Sequence, residues 1–240
     1  MSIARVALDV PIDEAFDFRI PVGFDAPRGA LVVVPFGRTR KVGVVVGHEA
    51  SSRVPASRLR DLESLVGDVA PFKGDELELF EFCAAYYQRP LGEVIAASLP
   101  PRLRQVRRRT LRPSDPATGP AGFEATVALN AEQQGALDAV RAAAGFQALL
   151  LQGVTGSGKT EVYLHLIADA LARGRQALML VPEIGLTPQF EARVRARFPG
   201  ARLAAAHSGL SLGERAQAWI DAQSGAAQLV LGTRSAVFMP

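Results

Sequence analysis

A glycine-rich segment in the second half of the chain carries the most specific chemistry. Residues 153–160 read Gly-Val-Thr-Gly-Ser-Gly-Lys-Thr, which fits the pattern G-x-x-x-x-G-K-T. In this pattern backbone N–H groups surround a pyrophosphate, the lysine pairs with β- and γ-phosphate oxygens, and the threonine hydroxyl binds Mg²⁺. We predict a nucleotide-binding loop, with Lys159 and Thr160 in the catalytic roles, formed by Gly153, Val154, Thr155, Gly156, Ser157, Gly158, Lys159 and Thr160.

Gln133, upstream of this loop, has two interpretations that the residues leave open. It lies three positions after Asn130 and fits a helix capping box. It also lies where a glutamine can contact the edge of an adenine. No histidine is spaced from a cysteine or carboxylate as metal ligands are, and Cys83 is the only cysteine. We therefore predict no metal held by protein side chains alone, and expect Mg²⁺ to arrive with ATP through Thr160.

Three more segments follow predicted strands and contain small or hydroxyl residues suited to phosphate contacts. They cover residues 181–189, 207–210 and 232–236. Two of them supply candidate DNA contacts, which are Pro182, Glu183, Thr187, Gly232, Thr233 and Arg234. Glu183 also fits a more distant role near the metal, and Arg234 also fits a solvated surface residue.

The elements that must position these residues alternate between helix and strand. Helices are predicted at 130–144, 159–173, 188–198 and from 211, with strands at 148–152, 177–181, 202–206 and 227–231. Nearly continuous apolar strands, each followed by a helix, predict a parallel sheet covered on both faces. Ligands of such sheets bind at the carboxyl ends of the strands. The class predicted for this part is therefore α/β.

The first part of the chain has a different pattern. Strands are predicted at 3–10, 16–20, 30–35 and 41–46, followed by a helix at 75–88. Short strands between proline and glycine turns indicate a small barrel or sandwich. We predict a β-rich domain at 1–105, a basic, proline- and glycine-rich linker at 106–128, and the α/β domain at 129–240.

Composition limits the function further. The chain has 240 residues, 48% of them hydrophobic, and a net charge of +3. Arginines cluster in the linker region, which indicates a surface for nucleic acid or another polyanion, or else a solvated linker; they are Arg102, Arg104, Arg107, Arg108, Arg109 and Arg112. No apolar run reaches the roughly 18 residues of a membrane span, and no signal peptide is recognised. A cytoplasmic protein without membrane partners is predicted.

Taken together, the loop and the three strand-end segments resemble the first motor lobe, a RecA-like lobe, of the replication restart helicase family PriA (primosomal protein N′). The N-terminal segments 6–11, 16–18, 34–37 and 86–94 resemble the same family's 3′-end-binding domain. The resemblance implies that Phe16, Asp17, Gly37 and Arg60 line a pocket for the 3′-OH end of DNA. Aromatic stacking and a carboxylate acceptor suit that ligand. Without the resemblance, Phe16 would be assigned to the core and Asp17 to a turn.

The resemblance implies an ATP-dependent 3′→5′ DNA helicase that assembles the primosome at stalled forks. It further implies a nucleoid-associated location, primosome and single-strand-binding proteins as partners, and zinc in a C-terminal part that these residues do not contain. Roughly 25 residues separate Leu103 from Asn130, too few for the family's winged-helix domain.

The family's Asp-Glu-x-His motif is also missing. Its acidic residue holds Mg²⁺ and positions the attacking water, so hydrolysis requires it. We therefore expect an N-terminal fragment that binds ATP without hydrolysing it. The alternative is a non-catalytic, DNA-end-binding helicase relative that recruits partners without unwinding.

Overall fold

The computed structural model describes residues 2–106, 110–115 and 122–240. Three arginines of the basic run, Arg107, Arg108 and Arg109, lie outside the described residues, as do residues 116–121 of the predicted linker. The chain forms two compact units. The first comprises Met1–Pro113, Gly209–Ser224 and Phe238–Pro240, and the second comprises Ser114–Ser208 and Gly225–Val237.

The first unit is built on an antiparallel sheet. Its strands are β1 (Ile3–Leu8), β2 (Phe16–Arg19), β3 (Leu31–Phe36), β4 (Thr39–Glu49) and β5 (Ser64–Leu65), in the order β2-β1-β4-β3-β5. Phe36 pairs with Thr39, so β3 and β4 form a hairpin whose two-residue turn contains Gly37 at φ 58°. A positive φ suits glycine and fits the tight hairpin turn. The predicted strands of this region are therefore confirmed, with small shifts at their ends.

Helices cover one face of this sheet. Helix α1 (Gly74–Tyr87) and helix α2 (Leu91–Ser98) follow the strands, and a 3-10 turn at Pro101–Arg104 comes next. Leu77 and Phe80 of α1 and Ile95 of α2 are buried in one core with residues of β1, β3 and β4. Helix α2 approaches β1 closely because Gly92 has no side chain; a Cβ there would overlap with the backbone of Leu8. Helix α2 was not predicted from the sequence.

The second unit contains most of the predicted helices and strands, but the predicted alternation is incomplete because residues 148–152 form no strand and helix α6 (Leu212–Gln223) belongs to the first unit. It contains α3 (Ala131–Ala142), α4 (Lys159–Ala172), β6 (Ala177–Leu180), α5 (Pro188–Arg197), β7 (Leu203–Ala206) and β8 (Leu229–Gly232). The strands form a parallel sheet in the order β6-β8-β7. All four residues of the central strand β8 are buried, as expected for a strand covered on both faces. The two sheets confirm the α/β class.

Helix α6 (Leu212–Gln223) lies between β7 and β8 in sequence but packs in the first unit. Its Trp219 ring meets the ring of Phe72 edge to face, with centroids 5.8 Å apart. The Gln223 side-chain amide exchanges two hydrogen bonds with the backbone of Ala70, at 3.0 and 2.9 Å. The helix begins with a capping box between Ser211 and Glu214.

One predicted strand is wrong. Residues 148–152 form neither strand nor helix, and the side chain of Leu150 is 90% exposed. The apolar composition of this run favours a strand, but a strand also needs a hydrogen-bonded neighbour. In the part of the chain that the structure describes, β6, β8 and β7 pair with one another and not with this segment.

None of the helices formed by residues 2–106, 110–115 and 122–240 combines the length and the hydropathy that a membrane span needs.

Candidate nucleotide-binding and DNA-binding sites

The glycine-rich loop precedes helix α4 directly, so the amino end of that helix faces the loop. Gly156 and Gly158 adopt φ values of 84° and 79°, a left-handed conformation that side chains disfavour. A Cβ on Gly153 would lie 2.7 Å from Ser157 Oγ. Because these positions carry no side chain, a phosphate group can approach the backbone of the loop closely. Free N–H groups of the first turn of α4 then supply the positive partial charge that phosphate groups bind.

Lys159 is folded back over this loop. Its Nζ donates hydrogen bonds to the carbonyl oxygens of Gly153 at 2.5 Å and Val154 at 2.8 Å. Phosphate oxygens at the same position would replace the carbonyls as acceptors, and charge-assisted hydrogen bonds to them are stronger. Thr160 is exposed in the first turn of α4, where its hydroxyl is available to a metal ion. The loop therefore fits a nucleotide with Mg²⁺.

Gln133 joins the helix cap to the loop. Its Oε1 accepts from the N–H of Asn130, while the Asn130 side chain accepts from the N–H of Gln133, both at 2.9 Å. Its Nε2 donates to the carbonyl oxygen of Ser157 at 3.1 Å. The capping-box interpretation is confirmed. The same amide touches the loop itself, and contact with an adenine stays a prediction.

Two ion pairs hold helix α4 in place. Arg197 of α5 binds both carboxylate oxygens of Glu161, at 2.8 and 2.5 Å, and both side chains are nearly buried. Arg141 of α3 binds both oxygens of Asp169 at 2.7 and 2.9 Å, nearer the surface. Each arginine lowers the pKa of its carboxyl group below the ordinary value, chiefly through these hydrogen bonds. The carboxylates therefore stay ionised at neutral pH.

The predicted DNA segments meet at one edge of the parallel sheet. The N–H of Val181 donates to the carbonyl of Gly232 at 2.9 Å, and the N–H of Thr233 donates to the carbonyl of Ala206 at 3.1 Å. The carboxyl ends of β6, β8 and β7 thus lie side by side. Gly232 is required there because a Cβ would overlap with Ala236.

The side chains at this edge differ in their availability. Pro182, Glu183 and Arg234 are exposed. The Thr187 hydroxyl caps helix α5 by accepting from the N–H of Phe190 at 3.1 Å. Thr233 is 5% exposed. Thr187 is exposed as well, but its hydroxyl is engaged in the helix cap, whereas Pro182, Glu183 and Arg234 present exposed side chains at this edge.

Two of the four predicted DNA-end residues come together in the first unit. Arg60 Nη1 donates to the Gly37 carbonyl oxygen at 3.2 Å. The exposed guanidinium and the hairpin turn form an open groove with Arg38, an arrangement that suits a phosphate group. Phe16 is partly buried against the core of the sheet, where its ring meets that of Phe36, the residue before Gly37, edge to face with centroids 5.3 Å apart.

Asp17 has different neighbours, because successive residues of a strand point to opposite faces. Ser52 Oγ donates to Asp17 Oδ2 at 2.5 Å, and Arg5 Nε lies 3.9 Å from Asp17 Oδ1. The Ser52 oxygen also accepts from the N–H of Val54 at 2.9 Å. The carboxylate is therefore fixed by a turn that sequence reasoning did not identify.

Arg197 was also missed. The sequence signal was present in Glu161, which directly follows Lys159 and Thr160 of the predicted nucleotide-binding loop and would need a counter-charge beside an anionic ligand. Which arginine supplies that charge depends on the packing of α5 against α4. Among the residues that the structure describes, no group of three or more His, Cys, Asp or Glu side chains could hold a metal ion.

Family models match both parts of the chain. The model of the PriA 3′ DNA-binding domain matches residues 5–100. The model of the DEAD/DEAH box helicase matches residues 130–239. The first match contains Phe16, Gly37 and Arg60, and the second contains the phosphate-binding loop and the sheet edge.

Two curated relatives align along nearly the whole chain, and a third aligns along about half of it. The replication restart protein PriA of Haemophilus influenzae is 31% identical across 99% of this chain, and that of Treponema pallidum is 34% identical across 98%. The protein from Synechocystis is 52% identical over 47% of the chain. The chain spans 42%, 36% and 13% of the lengths of these relatives in the aligned regions.

The alignments differ in length. The one with H. influenzae extends over 311 residues, more than the 240 of this chain, so that relative contains inserted residues. The alignment with the T. pallidum protein extends over 242 residues, so that relative also lacks an insertion of this size in the aligned region. Two domain models in the expected order and relatives aligned from end to end show that the chain belongs to the PriA family of replication restart proteins.

Proposed function

We propose that these residues supply the 3′-end-binding domain and the first nucleotide-binding lobe of an ATP-dependent 3′→5′ DNA helicase that restarts replication at stalled forks. The observation that carries the proposal is the loop at 153–160, whose lysine and helix amino terminus are arranged for phosphate, in a chain matched by a 3′ DNA-binding domain. Both ligands are polyanions, and the two candidate sites lie in separate units.

The nucleotide half of the proposal rests on three groups. Lys159 supplies a cation for β- and γ-phosphate oxygens, the first turn of α4 supplies N–H donors, and Thr160 supplies a hydroxyl for Mg²⁺. When bound, ATP with Mg²⁺ supplies the phosphoryl group whose hydrolysis drives translocation. The strand ends carrying Pro182, Glu183 and Arg234 then form the surface along which single-stranded DNA moves.

The DNA-end half rests on Phe16, Gly37, Arg60 and Asp17. Phe16 offers a ring for the terminal base, the Gly37 backbone and Arg60 offer donors for the terminal phosphate, and Asp17 accepts from the 3′-hydroxyl. Asp17 now accepts from Ser52, so the terminal hydroxyl either joins or replaces that donor. The assignment of each role is ours.

Lys159→Ala tests the two-site proposal. We expect it to weaken binding of a fluorescent ATP analogue with Mg²⁺ by at least about tenfold, because a hydrogen bond to a charged group contributes about 1.5–3 kcal/mol. Affinity for a partial duplex with a free 3′ end should stay within about twofold of wild type, since the two sites share no residue. Lys73→Ala removes an exposed lysine of the first unit and serves as the matched control.

The outcomes separate the two halves of the proposal. Loss of DNA-end binding in Lys159→Ala would contradict the two-site assignment. A wild-type chain that does not bind the nucleotide would contradict the nucleotide site. We further propose that these 240 residues bind ATP without hydrolysing it, because no Asp-Glu-x-His motif occurs among them.

The second candidate function is a non-catalytic protein that binds DNA ends and recruits partners. It differs from the first proposal in whether the full-length protein hydrolyses ATP, so DNA-stimulated ATP hydrolysis by the full-length protein would exclude it. Primosome and single-strand-binding proteins as partners, a zinc site outside these residues and a cytoplasmic, nucleoid-associated location stay predictions.

A further inference from the structure

Arg197 is among the few charged residues buried in the described part of the chain. It is the last residue of helix α5, and its side chain is 8% exposed. A buried guanidinium is costly unless its donors are paired, so each of its contacts must offset that cost. The contacts of the Arg197 side chain therefore indicate its role.

The Arg197 guanidinium contacts three groups, which are the Glu161 carboxylate, the Glu124 backbone carbonyl and the Phe123 ring. Two donors bind the two carboxylate oxygens of Glu161, and Nε donates to the backbone carbonyl of Glu124. The Phe123 ring covers the guanidinium with its centroid 5.0 Å away, and that ring stacks on Phe198 at 5.3 Å. Aromatic rings on this side exclude water from the ion pair, which strengthens it.

Glu161 is the reason that this contact matters for the nucleotide. It follows Lys159 and Thr160 directly, in the first turn of α4, and its side chain is 13% exposed. Its N–H donates to the carbonyl of Gly158 at 2.9 Å. Besides Arg197, the carboxylate faces His165 Nε2 at 3.5 Å, one turn further along the same helix. Without its arginine, this nearly buried carboxylate would repel the phosphate groups that the same turn is proposed to bind. Arg197 cancels that charge and fixes the turn.

We propose that Arg197 is a positioning residue of the nucleotide site: through Glu161 it holds the first turn of α4 and neutralises the carboxylate beside the phosphates. The inference rests on the proposed nucleotide-binding function. It makes Arg197, in a helix outside the loop motif, part of what determines affinity for a polyphosphate. A purely structural ion pair would stabilise the second unit and leave that affinity unchanged.

The experiment measures the affinity of the 240-residue chain for a fluorescent ATP analogue with Mg²⁺, together with the thermal midpoint of each variant. We expect Arg197→Ala to weaken nucleotide binding by about tenfold. The matched control is Arg195→Ala, in the same helix, whose side chain forms an exposed pair with Glu191 at 2.8 Å. The control should bind the nucleotide like wild type.

A double variant separates charge from packing. Glu161→Gln combined with Arg197→Ala removes the unpaired carboxylate, so it should bind the nucleotide several-fold more tightly than Arg197→Ala alone. Arg197→Lys keeps the charge and should lie between wild type and Arg197→Ala. If Arg197→Ala does not fold, Arg197→Lys is compared with wild type instead. We expect Arg197→Lys to bind the nucleotide a few-fold more weakly than wild type.

The contrary results are distinct. A wild-type chain that does not bind the nucleotide refutes the proposed function, on which the inference rests. Wild-type binding with equal affinities in Arg197→Ala and Arg195→Ala refutes the positioning role alone. The positioning role is also refuted if the double variant binds the nucleotide no more tightly than Arg197→Ala. Where Arg197→Ala does not fold, a wild-type nucleotide affinity in Arg197→Lys refutes the positioning role.

Discussion

Replacing Trp219 with alanine tests whether helix α6 completes the core of the first unit. Trp219 is the only tryptophan of the chain and is 1% exposed. Its ring meets Phe72 edge to face, and Phe72 meets Phe80 in the same way with centroids 5.2 Å apart. Truncation therefore removes a buried ring that packs on Phe72, the central ring of this aromatic cluster.

The magnitude follows from burial. Truncating a fully buried large aromatic residue to alanine costs about 3–5 kcal/mol, of which an aromatic pair contributes about 0.5–1.5 kcal/mol. Among the described residues the buried Trp219 indole N–H has no hydrogen-bond partner, which costs the folded state about 1–3 kcal/mol. Trp219→Phe removes that N–H and keeps an aromatic ring. We therefore expect Trp219→Phe to lose less than half of what Trp219→Ala loses.

The assay is urea unfolding followed by circular dichroism, combined with hydrogen exchange to locate the effect. In Trp219→Ala, amides of α1 and α6 should lose protection while those of α4 keep it. The control is Phe82→Ala, which removes an exposed aromatic ring from α1. A loss below about 1 kcal/mol in Trp219→Ala, or a loss of protection confined to α4, would refute the reasoning.

Two further predictions concern the nucleotide-binding unit. Arg197 lowers the pKa of Glu161 below its ordinary 4.5, so the stability from this pair is fully present above pH 4.5 and lost as the pH falls through the lower folded-state value. The thermal midpoint of wild type should exceed that of Glu161→Gln at neutral pH, and a gap that persists unchanged in acid would contradict the assigned cause. Gly158→Ala should weaken nucleotide binding more than Gly156→Ala: both sites have positive φ, but at 158 alone a Cβ would displace the Gln133 amide, which donates a hydrogen bond to the Ser157 carbonyl of the loop. Equal affinities in a nucleotide titration would count against this account of the loop.

Local patterns predicted the local structure well. The capping box at Asn130, one of the two interpretations left open for Gln133, could be read from the sequence because both partners lie within four residues, and it formed. The lysine, threonine and glycines of the loop followed from one motif. The strands β1 to β4 followed from short apolar runs separated by turns, for the same reason.

Features that depend on distant partners were not predicted. The run at 148–152 is apolar enough for a strand, but strand formation depends on a neighbour that sequence spacing does not reveal. Helix α6 has a recognisable apolar face, yet its burial against Phe72 depends on residues far away in sequence. The contact of Arg197 with Glu161 has the same origin. The motif residues of the candidate sites could be predicted from the sequence, whereas the side chains that contact them from distant parts of the chain could not.

We propose that this chain binds a DNA 3′ end at a site separate from its nucleotide site. Affinities for two labelled partial duplexes that differ in one group, a free 3′-hydroxyl or a 3′-phosphate, test this directly. We expect tighter binding of the free hydroxyl, and loss of that preference in Asp17→Asn with retention in Lys159→Ala. Equal affinity of the wild-type chain for the two duplexes would refute the DNA-end site.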